Sequence, residues 1–211
     1  MPGQITLDTA FGRALRDLAS DTRFKVYVEI GTWDGQGSTK CIVDGLNARA
    51  DLSGAGLFSF EANRTQWALA TKYWQARGDQ PLRVIMGRPS ERMMGREKIE
   101  SHPLFSCIKT HYDLHYEQDL KDFKEAPLVR MRKCDVAVLD GGEFCGEGDW
   151  DAIRPLKPAV VALDDIKVMK NNATYELLKK EGWRELFHTD ERNGSAILLS
   201  PDFLDFFTNS R

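Results

Sequence analysis

An α/β fold is what this sequence predicts: a seven-stranded, mostly parallel sheet ending in an antiparallel hairpin, with helices on both faces. Three observations predict it. Five short apolar segments alternate with helix-length stretches, the pattern of parallel strands joined through crossover helices. Two further strand-like segments follow, joined by a turn that ends in Asn193-Gly194, a hairpin signal. Acidic residues stand in or at the ends of the first, second, fourth and fifth strands, on the rim where open α/β sheets bind ligands.

Composition narrows the function classes before any motif is read. A chain of 211 residues fits a single domain, 1–211, with one substantial core. Apolar residues make up 42% and charged residues 29%, as in ordinary globular proteins. A net charge of −3 does not suit a general polyanion binder. The four cysteines form no CxxC pair, which argues against structural zinc or a secreted disulfide framework. Residues 1–20 contain no signal-peptide core, and no apolar run is long enough to span a membrane. The expectation is a cytoplasmic protein with no membrane partner.

In chain order, Leu7, Phe11, Leu15 and Leu18 recur at helical spacing and predict a helix over Ile5 to Ser20. Val26 to Ile30 is a strand with Glu29 inside it. The chain then bends through Gly31-Thr32-Trp33-Asp34-Gly35-Gln36-Gly37 into a helix starting at Ser38. A strand entering a helix through glycines brings backbone N–H groups beside a ligand. Trp33 and Gln36 stand where the GxGxxG dinucleotide pattern needs glycine, so the motif is Glu-x-Gly-x-x-x-Gly. Leu57 to Phe60 is the second strand and ends on Glu61, a carboxylate placed to accept hydrogen bonds from both hydroxyls of a ribose. A helix over Asn63 to Ala76 follows, then a third strand, Leu82 to Met86, running into Gly87.

The stretch 92–132 is charged, weakly periodic and longer than a simple connection, and is expected to be a substrate-facing cap. It carries His111 and His115, four residues apart on one helix face. Cys134 to Leu139 is the fourth strand and ends in Asp140-Gly141-Gly142-Glu143. Ala159 to Leu163 is the fifth and ends in Asp164, Asp165 and, shortly after, Lys167. Two adjacent strands ending in carboxylates need a cation or hydrogen bonds to offset their repulsion. A helix from Asn172 to Glu181 and a hairpin of Trp183 to His188 with Ser195 to Ser200 complete the pattern.

Together these features resemble class I S-adenosylmethionine-dependent methyltransferases, whose Rossmann-like sheet has this strand count and this terminal hairpin. EIGTWDGQGST, LDGGEF and LDDIKVMKN look like the small O-methyltransferases of the catechol and caffeoyl-coenzyme A type. They look still more like short relatives found near sugar-modifying enzymes. The resemblance implies S-adenosylmethionine as cofactor, contacted by Glu29, Gly31, Thr32, Trp33, Gly35, Gly37, Ser38, Glu61, Gly87 and Asp140. It also implies magnesium or manganese on Asp140, Asp164 and Asp165. Methylating a hydroxyl needs a base for its proton, with Asp140 first and Asp164, Asp165 and Glu143 next, Lys167 as helper and His111 as a spare base. Glu143 stands where the catechol type has its catalytic lysine, and Asp165 or Ile166 replaces an asparagine ligand.

The expected partner is a small-molecule or sugar acceptor, and a homodimer is compatible with the sequence. Nucleic acid is disfavoured by the acidic rim. Two other readings use the same residues. An RNA ribose 2'-O-methyltransferase would recruit Asp140, Lys167 and Glu185, and a non-catalytic relative would bind S-adenosylmethionine without turning it over.

Overall fold

Strand order follows from which segments are apolar on both sides. The computed structural model, which describes residues 5–204, builds seven strands into one sheet. They are β1 (Val26–Ile30), β2 (Gly56–Glu61), β3 (Leu82–Met86), β4 (Val136–Leu139), β5 (Val160–Asp164), β6 (Arg184–Thr189) and β7 (Ser195–Leu199). Their order is β3-β2-β1-β4-β5-β7-β6. The first five pair in parallel, and β7 enters antiparallel between β5 and β6. The central strands β4, β5 and β7 are buried at every position, as strands covered on both faces must be. The edges β3 and β6 have no fully buried position. The predicted fold class is the observed one.

Side chains alternate along each strand and divide the core in two. Tyr27, Val136, Val138, Val160 and Ala162 face one layer, with α1 (Ala10–Ser20) and α2 (Ser38–Asn47). Val28, Ala137, Leu139, Val161 and Leu163 face the other, with α7 (Gly146–Ile153) and α8 (Met169–Lys180), numbered in chain order after α3 to α6. Of these, α3 spans Arg64–Gln75, and its Trp74 joins the first layer.

A third apolar cluster lies apart from both layers. The 92–132 stretch folds as α4 (Arg96–Glu100), α5 (Phe105–Ile108) and α6 (Tyr112–Glu125). Its Met94, Ile99, Tyr112 and Tyr116 pack on Phe144 and Met169, which follow β4 and β5. Polar ties fasten α6 to the same rim: Asn63 Nδ2 donates to Asp122 (3.0 Å), Arg88 Nε to the Phe123 carbonyl (2.7 Å), and Phe144 N–H to Asp119 (2.9 Å).

Several boundaries differ from the periodicity. The first helix begins at Ala10 rather than Ile5, because Thr9 turns back onto the Thr6 carbonyl and its Oγ1 accepts the Gly12 N–H. The fourth strand begins at Val136 rather than Cys134. Asp135, just before it, accepts the N–H groups of Lys25 and Val26 at the start of β1. The last helix begins at Met169 rather than Asn172, which carries Lys170 and Asn171 into its first turn. Among the described residues no helix is long and apolar enough to cross a membrane.

Arg49 ties α1 to β1 from beneath. Its buried guanidinium donates to the Ala19 and Phe24 carbonyls and to the Tyr27 hydroxyl, which itself donates to the Leu18 carbonyl. Arg49→Met should strand these acceptors and destabilise the fold by about 2 to 4 kcal/mol. A urea titration would show a lowered midpoint with an unchanged slope.

Candidate active site

Strands β1 to β3 progress to one side and β4 returns on the other side of β1, so the chain reverses its order between β1 and β4. The crevice outside the carboxyl ends of strands at such a switch is where open α/β sheets bind ligands. Every acid expected on this rim is found there.

Glu29, inside β1, is fully buried. Thr39 Oγ1 (2.6 Å) and Ser59 Oγ (2.5 Å) donate to one of its oxygens, while Oε1 has no partner. Burial pushes its carboxyl above the usual range. Glu61, at the tip of β2, accepts the N–H groups of Trp33 (2.6 Å) and Asn63 (2.8 Å). Burial raises it to about 7 against the pull of those donors. Thr32 is buried and its N–H donates to the Phe60 carbonyl (3.1 Å), whereas the Trp33 ring is half-exposed. Gly37 precedes α2 without a side-chain cap, leaving Ser38 to open the first turn.

The glycines of the bend serve the protein as much as a ligand. Gly31 (φ +99°) lies so close to β4 that an added Cβ would meet the Asp140 carbonyl at 2.1 Å. Gly35 (φ +77°) is covered by Trp74, whose indole N–H donates to the Gly35 carbonyl (3.0 Å). The bend is pressed between β4 and α3, so packing within the protein itself requires glycine at both positions. Gly87 likewise packs its Cα against the Pro127 carbonyl, under the chain returning from α6.

At the ends of β4 and β5, one carboxylate oxygen from each of Asp140, Asp164 and Asp165 lies within 4.8 Å of the others. A cation already occupies this cluster. The Lys170 ammonium, on a side chain only 10% exposed, is 2.5 Å from Asp140 Oδ1 and 3.1 Å from Asp165 Oδ2. Ser195 Oγ donates to Asp164 (2.6 Å), Asn193 Nδ2 to Asp165 (2.9 Å), and Arg192 lies 3.3 Å from Asp164. Burial pushes Asp140 up to about 7 despite the pull of Lys170. Burial would also raise Asp165, but Lys170 and Asn193 hold it below its ordinary value. Lys170 is pulled down by burial and raised further by Asp140 and Asp165, so it stays charged. Mg²⁺ needs near-octahedral oxygen ligands at about 2.1 Å. Carboxylates already bound to an ammonium, a guanidinium, an amide and a hydroxyl do not fit that ion.

Other expected residues lie further out. Glu143 lines a cavity of about 220 Å³ together with His111, His115, Val168, Met169 and Asn193. Burial raises its carboxyl. Lys167 is half-exposed, and its ammonium lies 2.6 Å from Asp190, outside the cluster. Glu185 accepts from the Tyr175 hydroxyl (2.6 Å). The ion pairs of Asp140 are with Lys170, so the set Asp140, Lys167 and Glu185 is not assembled.

Sequence reasoning missed Lys170, Asn171, Asp149, Arg192, Asn193 and Ser195. Asn171 is buried and its Nδ2 donates to the Leu139 (3.0 Å) and Asp164 (2.8 Å) carbonyls, stitching together the two strand ends that carry the acids. Asp149 on α7 is buried against Gly141, with Oδ2 unpartnered. Burial pushes its carboxyl up to about 7. A signal for Lys170 existed: a basic residue five positions beyond Asp165 can fold back from a helix start onto the strand end.

No family model matches this sequence, and no curated protein matches it. Solved structures do resemble it. A Staphylococcus aureus protein provisionally assigned as a caffeoyl-CoA O-methyltransferase aligns over 92% of this chain and 85% of its own, at 14% identity and a TM-score of 0.59. A Bacillus cereus O-methyltransferase in complex with SAH aligns over 93% and 84%, at 14% identity and a TM-score of 0.58. The SAH-bound Podospora anserina methyltransferase PaMTH1 aligns over 90% and 77%, at 12% identity and a TM-score of 0.57. At such identities the likeness is one of architecture: the chain has the fold of the small class I O-methyltransferases.

Asp149 provides a test of the buried rim. In the folded chain it keeps a proton that the unfolded chain, with a carboxyl near 3.8, releases. Its contribution to stability is complete below that value and is lost as pH rises through about 7. Denaturant unfolding should show Asp149→Asn losing about 3 kcal/mol less than wild type between about pH 4.5 and 7.5.

Proposed function

We propose that the chain is an S-adenosylmethionine-dependent O-methyltransferase acting on a hydroxyl of a small molecule or sugar, with Asp140 as the base. The observation that carries this reading is the position of Asp140. It joins the glycine bend, where its carbonyl backs Gly31, to the carboxylate cluster, and its carboxyl stands at about 7. A base at that value is ionised for half of the molecules at neutral pH and is still basic enough to accept a proton. The shared fold with SAH-bound methyltransferases supports the cofactor.

The residues present suit that cofactor. Glu29 keeps an orphaned, fully buried oxygen at the head of the bend. The first turn of α2 has no side-chain cap and offers backbone donors, whereas the N–H groups of Gly31, Thr32, Trp33, Gly35 and Gln36 are spent within the protein. Each Glu61 oxygen has one backbone donor, which leaves lone pairs for ribose hydroxyls. Gly87, just past the end of β3, would flank the adenine. When bound, S-adenosylmethionine supplies an activated methyl group on a sulfonium. The protein's task is then to align the acceptor oxygen and remove its proton.

The 220 Å³ cavity beside the cluster is assigned to the acceptor. Its polar wall of Glu143, His111, His115 and Asn193 suits a hydroxylated ligand, and Val168 and Met169 supply an apolar floor. The 92–132 segment serves as the cap, because α6 is bonded to the rim at Asn63, Arg88 and Phe144. Asp140 takes the proton, with Glu143 next in line and His111 in reserve.

Calorimetry with S-adenosylmethionine and S-adenosylhomocysteine should give micromolar binding, and no binding of either would overturn the reading. With an acceptor found by screening sugars and catechols, Asp140→Asn should lower turnover by about 10² to 10⁴-fold while cofactor affinity changes less than about tenfold. An equal loss of affinity would remove Asp140 from the base role. Wild-type kcat/KM should rise with pH to a plateau above about 7 as Asp140 loses its proton.

A further inference from the structure

Three acids at the ends of two adjacent strands constitute, by their chemistry, an oxygen-ligand set for a divalent ion. In this chain the charge they need comes from within. Lys170 reaches Asp140 at 2.5 Å and Asp165 at 3.1 Å, on a side chain one-tenth exposed. Arg192 reaches Asp164 at 3.3 Å. Asn193 donates to the Asp165 oxygen that Lys170 does not bond, and Ser195 donates to Asp164. Nothing in this arrangement is loose: α8 is held so close to α7 that a Cβ on Gly146 would meet the Lys170 carbonyl at 1.9 Å. Lys170 therefore enters the cluster from a fixed backbone.

We propose that Lys170 is a built-in replacement for a divalent cation, so that the carboxylate cluster works with an ammonium of the chain and binds no metal. The residues lining the acceptor cavity surround it: Val168 and Met169 precede it in the chain, and Asn193 shares Asp165 with it. Glu143 lies within its field. The ammonium holds Asp140 and Asp165 in register and offsets the negative charge that gathers on the acceptor oxygen as its proton passes to Asp140. This catalytic half rests on the methyltransferase reading; the metal-binding half does not, and the two are separable by experiment.

Electron paramagnetic resonance of Mn²⁺ tests the metal half with no cofactor or acceptor present. Wild-type protein should leave the free-ion signal unchanged. Lys170→Met should take up one Mn²⁺ per chain, and the double variant Lys170→Met/Asp165→Asn should lose it. Stoichiometric Mn²⁺ binding by the wild type that Asp165→Asn abolishes would overturn the proposal, whether or not Lys170→Met folds. Failure of a folded Lys170→Met to bind would overturn it too, since the acids would then not be a cation site.

If methyl transfer is established, wild-type turnover should be unaffected by EDTA. Lys170→Met should lose about 10²-fold in turnover and regain part of it with Mn²⁺, and Lys170→Arg should retain more than Lys170→Met. EDTA inhibition reversed by Mn²⁺ would overturn the catalytic half. Absence of any S-adenosylmethionine binding would instead defeat the methyltransferase reading and leave the Mn²⁺ result standing.

Discussion

The constraint on which the rest of the structure depends is the repulsion among carboxylates gathered at the ends of β4 and β5. Asp140, Asp164 and Asp165 cannot all be buried as anions unless positive charge and hydrogen bonds reach them. Lys170 and Arg192 bring the charge; Asn193 and Ser195 bring the bonds. A buried pair deprived of one partner typically costs about 3 to 5 kcal/mol. That exceeds what any single exposed ion pair on this surface, such as Arg92 with Asp151, can contribute. The hairpin that supplies Arg192, Asn193 and Ser195 is thus part of the site as well as the edge of the sheet.

Backbone packing keeps the compensating groups in place. Gly146 lets α7 approach α8, and Asn171 links the Leu139 and Asp164 carbonyls, so the ends of β4 and β5 are held at a set separation. On the other side of the switch point, Gly31 presses against the Asp140 carbonyl, and Glu61 gathers the N–H groups of Trp33 and Asn63. Asp140 is the hinge of both halves. Its backbone packs against the glycine bend, and its side chain belongs to the carboxylate cluster.

The 92–132 segment is attached in the same way. Its aromatic cluster of Tyr112, Tyr116 and Phe144 includes a residue from the loop after β4, so segment and rim share a core. Asp119 and Asp122 extend the acidic character of the rim into α6.

The sequence by itself determined the sheet, its terminal hairpin and the acidic rim. Apolar runs of strand length and an Asn-Gly turn are local signals, and strand ends in an α/β sheet fall on one edge as a matter of topology. It also placed Glu29, Glu61, Asp140, Asp164 and Asp165 on that edge. Only the tertiary structure decided which lysine meets them. Lys167 and Lys170 are equally visible in LDDIKVMKN, and the choice turns on where α8 begins. That helix starts at Met169 behind Val168, which offers no capping side chain. Its start is set by the packing of Met169 into the apolar cluster of the 92–132 segment and by the contact of Gly146 with the Lys170 backbone. Asn172, the expected start of the helix, and its neighbour Asn171 instead spend their amides on carbonyls at or just beyond the strand ends. Long-range packing set the register, and the register chose the cation.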